Sequence, residues 1–151
     1  MIDAKISTKW EGQKVAKALN TGMYNNLGHY AGSIRLVAQR SIRKVKKGQP
    51  SRPGQPPHTH DTGKGGIPYR LRESIHYNVD RQWMVAVVGP SESWVGGLGR
   101  LHEFGGVWAS RRKRRGPVTI GKYPARPFMA PAAQYAVARL PSQWQTSFTS
   151  T

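Results

Sequence analysis

The chain has 151 residues, the ordinary size of one domain, and its 37% apolar content is enough to bury a core, which excludes wholesale disorder. Its 24 Lys+Arg against 7 Asp+Glu leave a net charge of +17, so a negatively charged partner is expected, either nucleic acid or an acidic protein surface. The absence of Cys excludes disulfides, thiolate nucleophiles and cysteine metal sites; no apolar run nears the ~18 residues of a membrane span, and Met1-Ile2-Asp3-Ala4-Lys5-Ile6 lacks a signal peptide's apolar stretch.

Over residues 13–47, Val15, Leu19, Met23, Leu27, Tyr30, Ile34, Val37/Ala38, Ile42 and Val45 recur at helical spacing, while most Lys and Arg fall off that stripe. An unbroken helix here would be ~50 Å long, more than the width of a compact domain of this size. Gly22, Gly28 and Gly32 each weaken a helix interior. The pattern predicts a kink or late start near them, or an end that overhangs the domain.

Residues 48–66 include Pro50, Pro53, Pro56 and Pro57 with five Gly and almost nothing to bury. They read as an extended, partly polyproline-like arm that is ordered only against a neighbour, with Pro53, Pro56 and Pro57 as partner contacts. Next, Ile75, Tyr77 and Val79 alternate with His76, Asn78 and Asp80, and Trp83-Met84-Val85-Ala86-Val87-Val88 follows a short turn. This predicts a hairpin whose second strand, apolar on both faces, is central and covered by the long helix.

Residues 91–106 carry a glycine-rich loop, Gly96-Gly97-Leu98-Gly99, followed by Leu101-His102-Glu103-Phe104-Gly105-Gly106. Residues 105–117 read as a basic loop holding Arg111-Arg112-Lys113-Arg114-Arg115, before a weak strand at Val118-Thr119-Ile120. Pro131 is placed as the first residue of a closing helix, in which Ala133, Val137, Leu140, Trp144 and Phe148 keep helical spacing, and Pro141 kinks or ends it. Residues 142–151 are expected to fray. The whole is expected to be one domain, residues 1–151, of α+β class. A small, mainly antiparallel sheet packs against the long N-terminal helix and the C-terminal helix, and the proline-rich arm stands out from it.

Catalytic patterns fail one by one. No two of Asp3, Glu11, Asp61, Glu73, Asp80, Glu92 and Glu103 lie within four residues of each other. His58-Thr59-His60-Asp61 sits in a proline-rich segment without cysteine support, so loop histidines are favoured over a metal site. His102-Glu103 opens like a zinc-protease motif, but Gly106 stands where its second histidine belongs. Gly63-Lys64 resembles the end of a phosphate-binding loop, but His58 and Gly65 occupy the positions of Gly and Ser/Thr. No Ser has a nearby His/Asp pattern to activate it. No enzyme, catalytic residue, cofactor or metal is expected.

Nucleic-acid binding is the rival reading. Arg111-Arg112-Lys113-Arg114-Arg115 and the cations of residues 40–47 can neutralise phosphates, and Trp94, Trp108 and Tyr123 can stack on bases, yet no established nucleic-acid-binding motif is visible.

Three segments, in order, resemble one family. They are Ser51-Arg52-Pro53-Gly54-Gln55-Pro56-Pro57-His58 with Thr62-Gly63-Lys64 and Leu71-Arg72-Glu73-Ser74-Ile75; Leu101-His102-Glu103-Phe104-Gly105-Gly106; and Ala125-Arg126-Pro127-Phe128-Met129-Ala130-Pro131-Ala132. The chain resembles, over roughly residues 13–145, the tail-component or neck (head–tail joining, tail-completion) proteins of long-tailed bacteriophages. It departs from them in the extra Gly65-Gly66-Ile67-Pro68-Tyr69-Arg70 and in the heavily basic loop.

The resemblance implies a non-enzymatic virion protein, made in the host cytoplasm, that forms a ring at the head–tail junction through which DNA passes. Its implied partners are copies of itself, the adjoining connector, and tail-tube or terminator proteins, with non-specific contact to passing DNA and no membrane. Arg111, Arg112, Lys113, Arg114 and Arg115 are expected to meet an acidic rim on an adjoining ring in preference to DNA. Among the motif residues Glu103, Phe104, Gly105, Arg126, Pro127 and Phe128, Phe128 is expected to anchor in the core. Arg126 is expected either to pair with Glu103 or to point into solvent. The alternative function is a basic nucleic-acid-binding protein outside any virion.

Overall fold

The computed structural model describes residues 11–45, 49–60, 70–111, 118–140 and 144. In chain order they form α1 (Gly12–Ser41), β1 (Arg43–Val45), β2 (His58–His60), α2 (Arg70–Glu73), β3 (Ile75–Asp80), β4 (Val85–Pro90), α3 (Glu92–Val95), α4 (Leu98–Phe104), β5 (Gly106–Arg111), β6 (Val118–Tyr123) and α5 (Met129–Val137). The class is α+β, with a long N-terminal helix and a C-terminal helix. No helix among the described residues is long and apolar enough to cross a membrane.

The helix α1 runs unbroken through Gly22, Gly28 and Gly32, so the glycines neither kink nor delay it. Its buried positions, Asn26, Ala31, Ile34 and Ala38, lie in its C-terminal two-thirds, while residues 13–21 are exposed. The length is accommodated by overhang. The helix stops at Ser41, short of residue 47, because Arg43–Val45 leave it to pair in parallel with His58–His60.

Small residues let α1 and α5 approach closely. Ile34, Ala38 and Ile42 meet Phe128, Ala132 and Ala136, each set repeating at four-residue steps, and Leu71 and Ile75 close the core. Phe128 is only 1% exposed, the largest fully buried side chain. Polar ties fix the start of β3 on α1: the Ile75 carbonyl accepts from Arg35 Nε at 2.8 Å and Gln39 Nε2 at 3.4 Å.

The strands form three separate two-stranded ladders, β1–β2 parallel and the other two antiparallel, in place of one small sheet. The predicted hairpin is β3–β4, in register from Ile75↔Pro90 to Asp80↔Val85. Its turn is held by Asp80 Oδ1, which accepts from the amides of Gln82 at 2.8 Å and Trp83 at 3.0 Å. Among the described residues no third strand joins β3 and β4, so β4 is not central there. It packs on α1 by one face, and Val85 and Val87 remain exposed on the other.

The proline-rich arm also needs correction over residues 49–60. Ser51, Pro57 and Thr59 are buried against the same chain, so Pro57 is a packing residue and not a partner contact. Pro53 and Gly54 occupy a tight turn in which the Gln55 amide donates to the Arg52 carbonyl at 3.1 Å, and Gly54 takes φ +76°. Backbone hydrogen bonds stand in for the missing apolar side chains: the Gly54 amide donates to the Ala125 carbonyl at 2.9 Å, and β2 adds its ladder to β1. The remainder of the arm, residues 48 and 61–66, lies outside the described residues.

Residues 106–111, read as part of the basic loop, are strand β5, paired with β6 from Gly106↔Tyr123 to Arg111↔Val118. Arg112, Lys113, Arg114 and Arg115 lie outside the described residues, as do Pro141 and most of the tail. In α5 the first helical residue is Met129, which puts Pro131 two positions further in than expected.

Candidate functional site

The two later motifs meet at a junction between α4, the base of the β5–β6 hairpin and the start of α5. The carboxylate of Glu103, near the end of α4, faces the N-terminus of α5. Oε2 accepts from the amides of Phe128 at 2.9 Å and Met129 at 3.0 Å, and Oε1 from that of Ala130 at 2.8 Å. No local side chain caps α5, so this distant carboxylate satisfies three amides that the helix itself leaves open and complements the positive end of its dipole.

The expected Glu103–Arg126 pair does not form, because the Glu103 oxygens are committed to those amides. Arg126 does not point into solvent either. Its Nε donates to the Ser51 carbonyl at 3.2 Å, and its guanidinium lies over the Tyr123 ring, 4.7 Å from the centroid. Its amide donates to the His102 carbonyl at 2.6 Å. Arg126 therefore fastens residues 49–60 to the junction.

Gly105 ends α4 with φ +68°, its amide bonded to the Leu101 carbonyl at 2.9 Å. A β-carbon there would lie 2.8 Å from both the Ala125 amide nitrogen and the Tyr123 carbonyl oxygen, so only glycine lets the two segments pass this closely. Pro127 is half-buried beside the Phe128 anchor. Phe104, grouped with these as structural, is 75% exposed and joins no core.

His102 is the junction residue to which the sequence alone assigned no role, although it stands in the Leu101–Gly106 motif and in the failed zinc pattern. Its Nδ1 shares a hydrogen with Tyr123 Oη across 3.0 Å, and the two rings meet edge to face. Burial, and secondarily the Arg126 guanidinium, lower its pKa from 6.5 to about 4, so the ring is neutral at neutral pH.

The junction carries the β5–β6 hairpin outward. Neither strand packs extensively on any other element. The register puts Val107, Ala109, Val118, Ile120 and Lys122 on one face, with Trp108 on the other. Val107 and Ile120 are 70% and 71% exposed, and Trp108 and Val118 are nearly half exposed. Isolated two-stranded hairpins are marginal in water, and a contiguous apolar surface of this kind marks an interaction site.

Of the three aromatic residues considered for base stacking, Trp108 and Tyr123 share one face of the hairpin, with Arg126 over the Tyr123 ring, while Trp94 packs edge-on against His76. Among the described residues no three His, Asp or Glu gather where they could hold a metal ion. No protein-family model matches this chain, and no curated protein or solved structure matches it.

Proposed function

We propose that the chain is a structural, non-enzymatic subunit of a homo-oligomeric ring in the neck of a long-tailed bacteriophage, joining the head connector to the tail and leaving a channel for DNA. The neck assignment comes from the resemblance of the three ordered motifs. Assembly is supported by one observation above the others: the β5–β6 hairpin leaves its own subunit with Val107, Trp108, Val118 and Ile120 largely exposed and, among the described residues, both strand edges unpaired. Covering each of those side chains with a neighbour would contribute roughly 1.5–3 kcal/mol.

The overhanging start of α1, with Val15 and Leu19 exposed, offers a second and different apolar surface on the same subunit. Two unlike surfaces suit the head-to-tail contacts that close a ring.

The test is a premature stop in the gene for this chain in the phage that encodes it, read by electron microscopy. DNA-filled heads and finished tails that fail to join are expected, with joining restored by supplying the chain from a plasmid. Infectious, normally tailed particles lacking the chain would overturn the proposal.

A further inference from the structure

A cleft of about 590 Å³ lies where residues 49–60 fold back on the end of α1, and none of its described lining residues belongs to the β5–β6 hairpin or to α4. Arg40 and Arg43 line it from the helix end and β1, and Arg52 from the turn opposite, with Pro50 and Pro56 forming apolar wall. The His58 imidazole also lines it, held in place because Nδ1 donates to the Gln49 carbonyl at 3.0 Å. Three exposed arginines thus line one concave surface.

Among the described residues none of the three has an anionic partner. An ion pair that does form, Lys14 with Glu11 at 2.7 Å, lies far along α1 from this cleft. Three like charges gathered without compensation repel one another, and a bound anion removes that cost. Guanidinium forks suit carboxylates and phosphates, which they grip through paired N–H donors.

We infer that this cleft is a docking site for an acidic peptide segment, rich in Asp or Glu, of a partner protein. Three observations favour that occupant. Among the described lining residues there is no Phe, Tyr or Trp, the platforms on which single-stranded nucleic acid stacks. The site is recessed and of the size that encloses a few peptide residues, whereas a duplex presents its phosphates on broad, stiff ridges. Pro50 and Pro56 give the aliphatic stems of Asp and Glu a surface to lie on. A second copy of this chain does not fit the role, since its seven carboxylates are scattered singly along the sequence. The inference stands on the cleft alone and does not depend on the neck assignment.

The experiment is fluorescence anisotropy on the full chain with two probes, a labelled peptide of about six glutamates and a labelled oligothymidylate of similar length. The variant R40Q/R43Q/R52Q is compared with K17Q/R81Q/R100Q, which removes the same number of exposed charges elsewhere. The cleft variant is expected to lose the peptide by about tenfold or more while the other stays near wild type, and oligothymidylate binding should fall alike in both. The single substitution R52Q, on an exposed turn, should give a partial loss and guards against misfolding of the triple variant. Equal peptide loss in both triple variants would reduce the effect to net charge and overturn the site. Oligothymidylate loss specific to the cleft variant would make nucleic acid the occupant and overturn it equally.

Discussion

Glu103 and Phe128 are joined across 25 residues of chain: the Glu103 Oε2 accepts the Phe128 amide hydrogen at 2.9 Å as Phe128 leads into α5. The same carboxylate takes the next two amides. Replacing Glu103 by Ala leaves all three without that acceptor and should cost about 1–3 kcal/mol in denaturant unfolding, with Gln intermediate. A double-mutant cycle on Glu103 and Arg126 should show no direct coupling energy, since each engages different atoms.

Phe128 fills the space between α1, α2 and β3, where its neighbours Ala38, Ala132 and Ala136 are too small to close a void. Truncation to Ala should cost on the order of 3–5 kcal/mol. Chemical denaturation measures this directly, and an unchanged midpoint would remove Phe128 from the core.

Two glycines should respond in opposite directions. At Gly105 a methyl group would collide with backbone at 2.8 Å and require a positive φ, so Gly105→Ala should destabilise by at least ~2 kcal/mol. At Gly28, inside α1, nothing lies within 4 Å of an added β-carbon, so Gly28→Ala should stabilise by about 0.5–1 kcal/mol. Thermal or denaturant midpoints of the two variants check the contrast.

His102 makes stability depend on pH in a defined window. Its folded pKa of about 4 lies below the unfolded 6.5, so on acidification the unfolded chain takes a proton first. The stabilisation is whole above pH 6.5, is lost progressively down to about pH 4, and falls no further below. A displacement of that size is worth roughly 3 kcal/mol at full effect, and partial exposure trims it to about 2. Unfolding free energies of wild type and His102→Gln at pH 7 and pH 4.5 should therefore converge at the lower pH.

The hairpin face should govern association without governing the fold. Val107→Ser with Ile120→Ser leaves the core of α1, α2, β3 and α5 untouched. The pair should keep the unfolding midpoint of the monomer within about 1 kcal/mol. By analytical ultracentrifugation it should lower self-association relative to wild type.

Where packing is periodic, the sequence was readable. The Ile34, Ala38 and Ile42 stripe, the alternation of β3 with its Asp80 turn, and the Phe128 anchor all follow from spacing and residue type. What escaped is held by backbone or by distance. The folding-back of residues 49–60 depends on the Gly54 amide and on a three-residue parallel ladder, neither of which leaves an apolar pattern. The Glu103 cap joins a helix end to a carboxylate remote in sequence, so local capping rules pass over it. Strand β5 was hidden because both its faces are solvent-accessible, which removes the usual alternation of buried and exposed positions.

At the root of the hairpin, Gly105 wedges against Tyr123 and Ala125, Glu103 grips α5 two residues before it, and Arg126 ties Tyr123 to Ser51. The hairpin is in consequence a lever with a stiff fulcrum: a load applied near Trp108 cannot swing the strands freely, but is delivered to the first turn of α5 and to the loop that walls the arginine cleft.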